Sequence, residues 1–320
     1  DRMRLELLDF KSSSPRIEVF GSSRLSSNDT FLLSDGFDLY LRLKATARPE
    51  AFKTYTKRNQ RYLTECLGDV SIAGMSPRNG ADFRDHLLCK GLSSSSVRRV
   101  FSTVKAVINL CISERGLQIT NPFGSVYIPA DDLETKRRPI PMENIRRVQA
   151  ECQTYDDDQR RLIALISDTG MRLSEACGLS VEDIKLEADV PHIHITPHPW
   201  RRLKTKGSAR QVPLVGSSLW AAERIVAIAT NELAFPRYCD KSKVKANSAS
   251  GSLNKWLGAR VPDGCVVHSF RHSFRDRLRA AQCPSDIIDA LGGWSTAGIG
   301  SNYGDGFELS QKSRWMKAIS

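Results

Sequence analysis

Thr169-Gly170-Met171-Arg172-Leu173-Ser174-Glu175 is a junction between two helices. Leu162 to Ile166 reads as a buried helix, and Gly170 ends it because glycine accepts the left-handed conformation that closes a helix. Arg172 then stands at the start of a new helix with Glu175 in its first turn, a position that favours an acid. Downstream, His268-Ser269-Phe270-Arg271 places a histidine and an arginine one helical turn apart. Further on, Ile287, Ile288 and Leu291 form an apolar helix edge that Gly292-Gly293 closes, and the run continues through Trp294-Ser295 to Asn302-Tyr303. Strand patterns cluster between these helices, at His192-Ile193-His194-Ile195 and at Arg210-Gln211-Val212-Pro213-Leu214. The expected fold is therefore mainly α with a small β-sheet.

The chain has 320 residues, of which 40% are hydrophobic and 26% charged, enough for about two domains with real cores. Its net charge is +11 and its isoelectric point near 9.4, which favours an acidic polymer, nucleic acid first, as partner. Eight cysteines are scattered with no C-x-x-C pair, mostly at apolar helical positions. They read as small hydrophobes in a reducing cytosol. No apolar run approaches the ~20 residues of a membrane span, and Asp1-Arg2-Met3-Arg4 lacks the apolar core of a signal peptide. The expected location is cytoplasmic and nucleoid-associated.

Residues 1–33, with Ser12-Ser13-Ser14-Pro15 and a turn-rich stretch from Ser22 to Thr30, read as an arm or linker. A helical domain is expected over 34–131. Phe52, Tyr55, Tyr62, Leu63 and Cys66 fit one helix face. Val97, Val100, Phe101, Val104, Val107, Ile108 and Cys111 fit another, with cap candidates at Ser93 to Ser96 and a stop at Gly116. The other face of that second helix carries Arg98, Arg99 and Lys105, which suit phosphate contact or a solvated surface equally well. Prolines 122, 139 and 141 flank an acidic then basic stretch, so 132–141 is expected to link this domain to a mixed α/β domain over 142–320.

Phosphodiester cleavage builds negative charge on nonbridging oxygens, and a catalyst without metal needs fixed cations there. Arginine suits this because its planar fork makes two parallel charge-assisted hydrogen bonds. Most arginines in most proteins serve surfaces or salt bridges, and a lone H-x-x-R is weak evidence. The ordered series of two arginines, a histidine, a tryptophan and a tyrosine is much more specific.

That series resembles the tyrosine recombinases, the phage-integrase family. Thr169 to Glu175, with Leu179 following, resembles their first-arginine box; His268 to Phe274 resembles the second; Gly292-Gly293-Trp294-Ser295 to Asn302-Tyr303 is similar to the Cre recombinase ending, where Trp replaces the commoner histidine. The resemblance implies a helical core-binding domain followed by a mixed α/β catalytic domain. It implies Tyr303 as the nucleophile, forming a 3′-phosphotyrosyl bond and freeing a 5′-hydroxyl. Arg172 and Arg271 would grip the scissile phosphate, His268 would assist proton transfer, Trp294 would donate one hydrogen bond through its indole N–H, and Glu175 would orient its neighbours. The family also implies a lysine on a β-hairpin as general acid, and Arg201 to Leu214 is that segment. Spacing to Val212-Pro213-Leu214 favours Lys204, whereas Lys206 before Gly207 resembles another turn of the family. Alternation on a strand would put both lysines on one side and so does not choose between them. Arg201, Arg202 and Lys206 are expected DNA contacts.

His192, His194 and His198 lack a Cys, Asp or Glu nearby to complete a metal site, and strand alternation explains them. Gly292-Gly293 lacks the surroundings of a phosphate loop, and there is no Walker A motif. Lys241, Lys243 and Lys245 read as a loop near DNA or a solvated one. No metal and no cofactor is expected, because a phosphotyrosyl bond conserves the energy of the bond it replaces. The expected partners are double-stranded recombination sites and three further copies of the chain, forming a homotetramer on synapsed DNA from a monomer in free solution. The rival readings are a type IB-like topoisomerase and a DNA-binding protein that has lost catalysis. The helical N-terminal region weighs against the first and the complete residue set against the second. After Tyr303, Phe307, Leu309, Trp315, Met316 and Ile319 form a segment too short to stand alone. It must pack either in cis on its own catalytic domain or in trans on a neighbouring protomer, and the nearby glycines that let the chain swing favour the second.

Overall fold

The structure, a computed structural model, describes residues 30–46, 48–130, 138–294 and 306–320, with the Lys206 side chain set aside. Most of the expected arm, most of the linker and Tyr303 lie outside the described residues. The chain divides into two units, Asp1–Glu134 and Thr135–Ser320.

The first unit is built from α1 (Leu33–Lys44), α2 (Glu50–Leu67), α3 (Pro77–Cys89) and α4 (Ser94–Arg115). Ser93 caps α4 by accepting from the Ser96 N–H at 3.3 Å, and Gly116 closes it at φ 60°. The apolar stripe read from the sequence, Val97 to Cys111, is buried in full. Its centre is aromatic: Phe83 stacks on Phe101 at 5.5 Å, and Phe123 meets both edge-on at 5.9 Å. Residues 31–33 belong to this unit rather than to an arm, since Phe31 and Leu33 bond through their backbones to Ile72 and Val70 and Leu33 is buried. Helix α2 keeps its expected face at every position but Tyr55. Its buried residues are Thr56, Asn59 and Leu63, while Tyr55 is 55% exposed. Phe52, Tyr62 and Cys66 pack on the same core as Leu63, as the spacing predicts, and Thr56 and Asn59 complete the buried face in place of Tyr55.

The second unit carries α5 (Met142–Tyr155), α6 (Asp158–Thr169), α7 (Leu173–Cys177), strands β1 (Ile184–Lys185), β2 (His192–Ile195) and β3 (Arg210–Pro213), then α8 (Gly216–Ile228), α9 (Ala246–Leu257), α10 (Ser269–Ala280), α11 (Ser285–Gly292) and α12 (Leu309–Lys317). The strands form one antiparallel sheet in sequence order, with Ile193 opposite both Ile184 and Val212. Helix α6 is the buried centre: Leu162 to Ile166 are shielded completely or nearly so, and its end turns at Gly170, φ 59°. A Cβ on Gly170 would meet the Phe274 ring at 2.5 Å, so α10 packs directly on the turn that presents Arg172. Cysteines 111, 152, 177, 239, 265 and 283 are buried and unbridged, as small hydrophobes would be. No described helix is long and apolar enough to cross a membrane.

In this single chain the tail packs in cis, the alternative to docking on a neighbouring protomer. Helix α12 lies against β3 of its own unit, with Met316 and Ile319 buried and Phe307 and Trp315 packed on the same core. Arg277 of α10 donates to the Ile319 carbonyl from both Nε (3.1 Å) and Nη2, to the Ser167 carbonyl at 3.0 Å and to Asp168 at 2.9 Å. A short helix is marginal alone and gains its stability from apolar contact, which this unit supplies in cis.

Candidate active site

Three of the boxes meet through their backbone ends. Arg172 is the N-cap of α7, and its own N–H donates to Glu175 Oε2 at 3.0 Å while its Nη1 donates to Glu175 Oε1 at 2.5 Å. Arg172 Nη2 reaches the Gly293 carbonyl at 3.2 Å. Arg271, buried in α10, donates to the Gly170 carbonyl at 2.7 Å and the Gly292 carbonyl at 2.5 Å. The two guanidinium groups therefore converge on consecutive carbonyls of the turn after α11. Trp294 follows that turn and lies over Arg271 at 4.2 Å and Arg275 at 4.9 Å.

Among the described residues, Glu175 is the carboxylate bonded to this cluster's Arg172 and Arg210. Glu175 is 3% exposed and also accepts from Arg210 Nη2 at 2.9 Å through Oε2. Burial pushes its pKa up toward the neutral form, but the charge and hydrogen bond of Arg210, with the hydrogen bonds of Arg172, more than offset this and hold it below the ordinary value. Arg271 is pushed the other way for a cation, down to about 9, first by burial and then by the charges of Arg172 and Arg210. Arg275 has a carboxylate of its own, Asp289 at 3.2 Å. So, among the described residues, Arg172 and Arg210 bond to one acid while Arg271 is held by carbonyls alone, and the site holds surplus positive charge in a partly desolvated place. Such a site favours an oxyanion.

The remaining expected residues lie around this cluster. His268 is the exposed N-cap of α10, its ring edge-on to His272 at 5.4 Å. Lys204 is exposed in the connection between β2 and β3, and the backbone of Lys206 begins a 3₁₀ turn over Lys206–Ser208. Neither lysine sits on an extended strand, so the alternation argument does not apply to them. The turn's Ser208 hydroxyl lies 3.3 Å from Arg172 Nη1, which brings the lysine segment to the cluster. Trp294 closes the described part of its box, and Tyr303 falls outside the described residues.

Arg201 is not placed to touch DNA. Its side chain is 1% exposed and donates to the carbonyls of Glu175 (2.8 Å) and Thr196 (2.5 Å) and to Asp183 (3.2 Å). It props the hairpin from inside, where a run of two basic residues had suggested a surface. Arg202 is exposed. The histidines of the strand region are also accounted for locally: His192 Nδ1 meets the Val190 carbonyl at 2.8 Å, and His198 pairs with Asp183 and stacks on Trp200.

In the first unit, Arg98 and Lys105 are engaged by their own fold. Arg98 donates to the Pro129 carbonyl at 2.7 Å and Lys105 to the Gly124 carbonyl at 2.8 Å, fastening the segment after α4. Arg99 instead faces a groove of about 550 Å³ between α2 and α4, lined also by Tyr55, Arg58, Asn59, Ser96 and Thr103. Arg58 lies 5.0 Å over the Tyr55 ring, and the Asn59 Oδ1 at the groove floor is buried without a hydrogen-bond partner. The sequence reading missed Arg58 and Asn59. The available signal was a basic residue between two tyrosines on one helix.

Residues 140–307 match the model of the phage integrase family, more than half of the chain and all of the boxes above. The chain belongs to the phage integrase family. It is a tyrosine site-specific recombinase in its sequence boxes and in its fold. Among sequence relatives of this recombinase, the tyrosine recombinase XerA of Pyrococcus furiosus is 24% identical over 259 residues, covering 76% of this chain and 83% of the relative. The transposase from transposon Tn916 of Enterococcus faecalis is 21% identical over 294 residues, covering 80% and 70%. In fold, the Tn1549 transposon integrase in complex with circular intermediate DNA superposes with a TM-score of 0.68 at 20% identity, covering 89% of this chain and 99% of that one. A lambda integrase tetramer bound to a Holliday junction gives 0.65 at 15% identity, covering 88% and 82%.

Proposed function

We propose that this recombinase cleaves and rejoins double-stranded DNA at defined sites through a 3′-phosphotyrosyl intermediate on Tyr303. The observation that carries this reading is the convergence of Arg172 and Arg271 on one turn, with Glu175 bonded to Arg172. The two guanidinium forks grip the nonbridging oxygens of the scissile phosphate, and their positive charge stabilises the pentavalent transition state. Tyr303 Oη attacks phosphorus, the 5′-oxygen leaves, and Lys204 gives that oxygen its proton. His268 assists proton transfer at the head of α10. Trp294 donates its indole N–H to the phosphate but carries no proton away. Rejoining reverses these steps: the 5′-hydroxyl attacks phosphorus and the phenolate leaves.

The groove between α2 and α4 supports duplex binding by the first unit, with Arg58 and Arg99 as phosphate contacts. DNA-bound and tetrameric relatives support assembly on DNA, with four copies on two synapsed sites. Such a protein works where the DNA lies, in the cytoplasm with the nucleoid.

The test is covalent capture on nicked duplexes drawn from the DNA flanking the gene, resolved on denaturing gels. The protein yields a protein–DNA adduct that Tyr303→Phe loses while still binding DNA. An adduct of normal yield in Tyr303→Phe overturns the assignment.

A further inference from the structure

Arg210 has no place among the groups that touch the phosphate, yet it holds the centre of the cluster. It is the first residue of β3, is buried, and spends its guanidinium on three partners from three segments. Nη2 donates to Glu175 Oε2 at 2.9 Å, in the first-arginine box. Nη1 donates to the Ser208 carbonyl at 2.8 Å, in the 3₁₀ turn of the lysine segment. Nε donates to the Leu291 carbonyl at 2.7 Å, in the last turn of α11 before Trp294. A Cβ on Gly293 would come within 2.8 Å of Arg210 Nη1, so that turn is seated directly on the guanidinium.

We propose that Arg210 is a positioning residue for strand cleavage: its guanidinium ties Glu175, the lysine turn and the Trp294 turn into one register, so that Arg172 and Arg271 meet the phosphate in fixed geometry. This rests on the cleavage reading above. The arrangement follows from donor geometry. Arginine alone among side chains offers a planar fork of five N–H donors, so one residue can hold three acceptors at set angles. Buried, it needs a counter-charge, and Glu175 supplies it. Glu175 in turn keeps one oxygen for Arg172, whose fork is thereby oriented without being neutralised. Without Arg210, Glu175 would face its phosphate-gripping neighbour alone, and burial would favour its neutral form. A neutral Glu175 holds Arg172 with a weaker bond and lets it move.

Glu175 is faced by charged groups from several elements. Arg172 lies in its own turn, Arg210 on β3, Arg271 on α10, and Arg201 after β2, donating to the Glu175 carbonyl. Of these, Arg210 and Arg172 bond to the carboxylate itself. Removing Arg210 therefore raises the pH at which Glu175 takes up its proton, and as the solution is acidified, cleavage that needs the carboxylate should be lost sooner than in the wild type.

The experiment compares wild type, Arg210→Lys and Arg210→Met in single-turnover cleavage of the captured nicked duplex between pH 4 and 8, with DNA affinity and thermal midpoint measured alongside. Arg210→Met should cleave about 100-fold more slowly while its DNA affinity stays within about threefold. The acid limb of its pH profile should move to higher pH, because Glu175 is neutralised earlier as the solution is acidified. Arg210→Lys, which keeps a charge but not the fork, should lie between the two. His268 is common to all three proteins, so a difference between the limbs reports Glu175. Cleavage by Arg210→Met at the wild-type rate overturns the proposal. So do losses in both variants that track the thermal midpoint with an unmoved acid limb. Should Arg210→Met fail to fold, Arg210→Lys decides: a limb that coincides with wild type overturns the proposal. A wild-type protein that forms no adduct defeats the cleavage reading instead.

Discussion

Gly292→Ala should separate catalysis from stability at one atom. Gly292 is the last residue of α11 and sits beneath the indole of Trp294. A Cβ built there lies 1.8 Å from Trp294 Cε3 and Cζ3, whereas ordinary van der Waals contact begins near 3.4 Å. The ring must retreat by about 1.6 Å, because two carbon atoms that close are strongly repulsive. Trp294 now lies 4.2 Å from the Arg271 guanidinium, and such a retreat carries it toward the ~6 Å limit of a cation–π contact. That loss is worth about 0.5–2 kcal/mol, and misplacing the indole donor adds to it, since a displacement of ~1 Å can cost about 100-fold in rate. Cleavage should therefore slow by about 10–100-fold. The helix gains up to ~1 kcal/mol because alanine is favoured over glycine there, which offsets much of the lost Arg271–Trp294 contact, so the thermal midpoint should move little compared with the rate. The assay is single-turnover adduct formation beside a melting curve and a DNA-binding isotherm. Wild-type cleavage by Gly292→Ala, or a melting loss that parallels the rate loss, refutes the reasoning.

The two lysines separate on a 5′-bridging phosphorothiolate, whose sulfur leaves without a general acid. Lys204→Ala should lose cleavage of normal DNA and recover it on this substrate, and recovery by Lys206→Ala alone would reverse the assignment. Arg58→Ala and Arg99→Ala should each weaken duplex binding and reduce the slope of log affinity against log salt by about 0.9, as expected for one lost phosphate contact; unchanged slopes would remove the groove from the DNA interface. Inorganic phosphate should raise the thermal midpoint of the free protein, by mass action on surplus charge at Arg172 and Arg271, and Arg271→Gln should abolish the rise. Met316→Ala empties a buried position under α12 and should lower stability by about 2–5 kcal/mol, read by denaturant melting. A change under ~1 kcal/mol would mean that α12 is not held by its own unit in solution.

The boxes were legible in the sequence because their chemistry and helix punctuation are local. Gly170 and Gly293 turn the chain at positive φ just where the pattern of apolar residues stops, and Arg172 follows the first turn by two residues. The stripe of α4 was legible for the same reason: side chains recur with the helix period, and burial follows. Basic residues were much less legible. Arg98, Arg99, Lys105, Arg201 and Arg210 look alike in one dimension. Tertiary structure turned Arg98 and Lys105 onto nearby carbonyls, faced Arg99 into a groove, and buried Arg201 and Arg210 as internal ties. Their acceptors lie up to 81 residues away, and no local period encodes such pairs. The tail shows the same division. Its apolar residues announced in the sequence that it must pack, since a short helix does not stand alone. The surface it packs on, beside β3 with Arg277 holding Ile319, exists only once the chain has folded and desolvated both faces together.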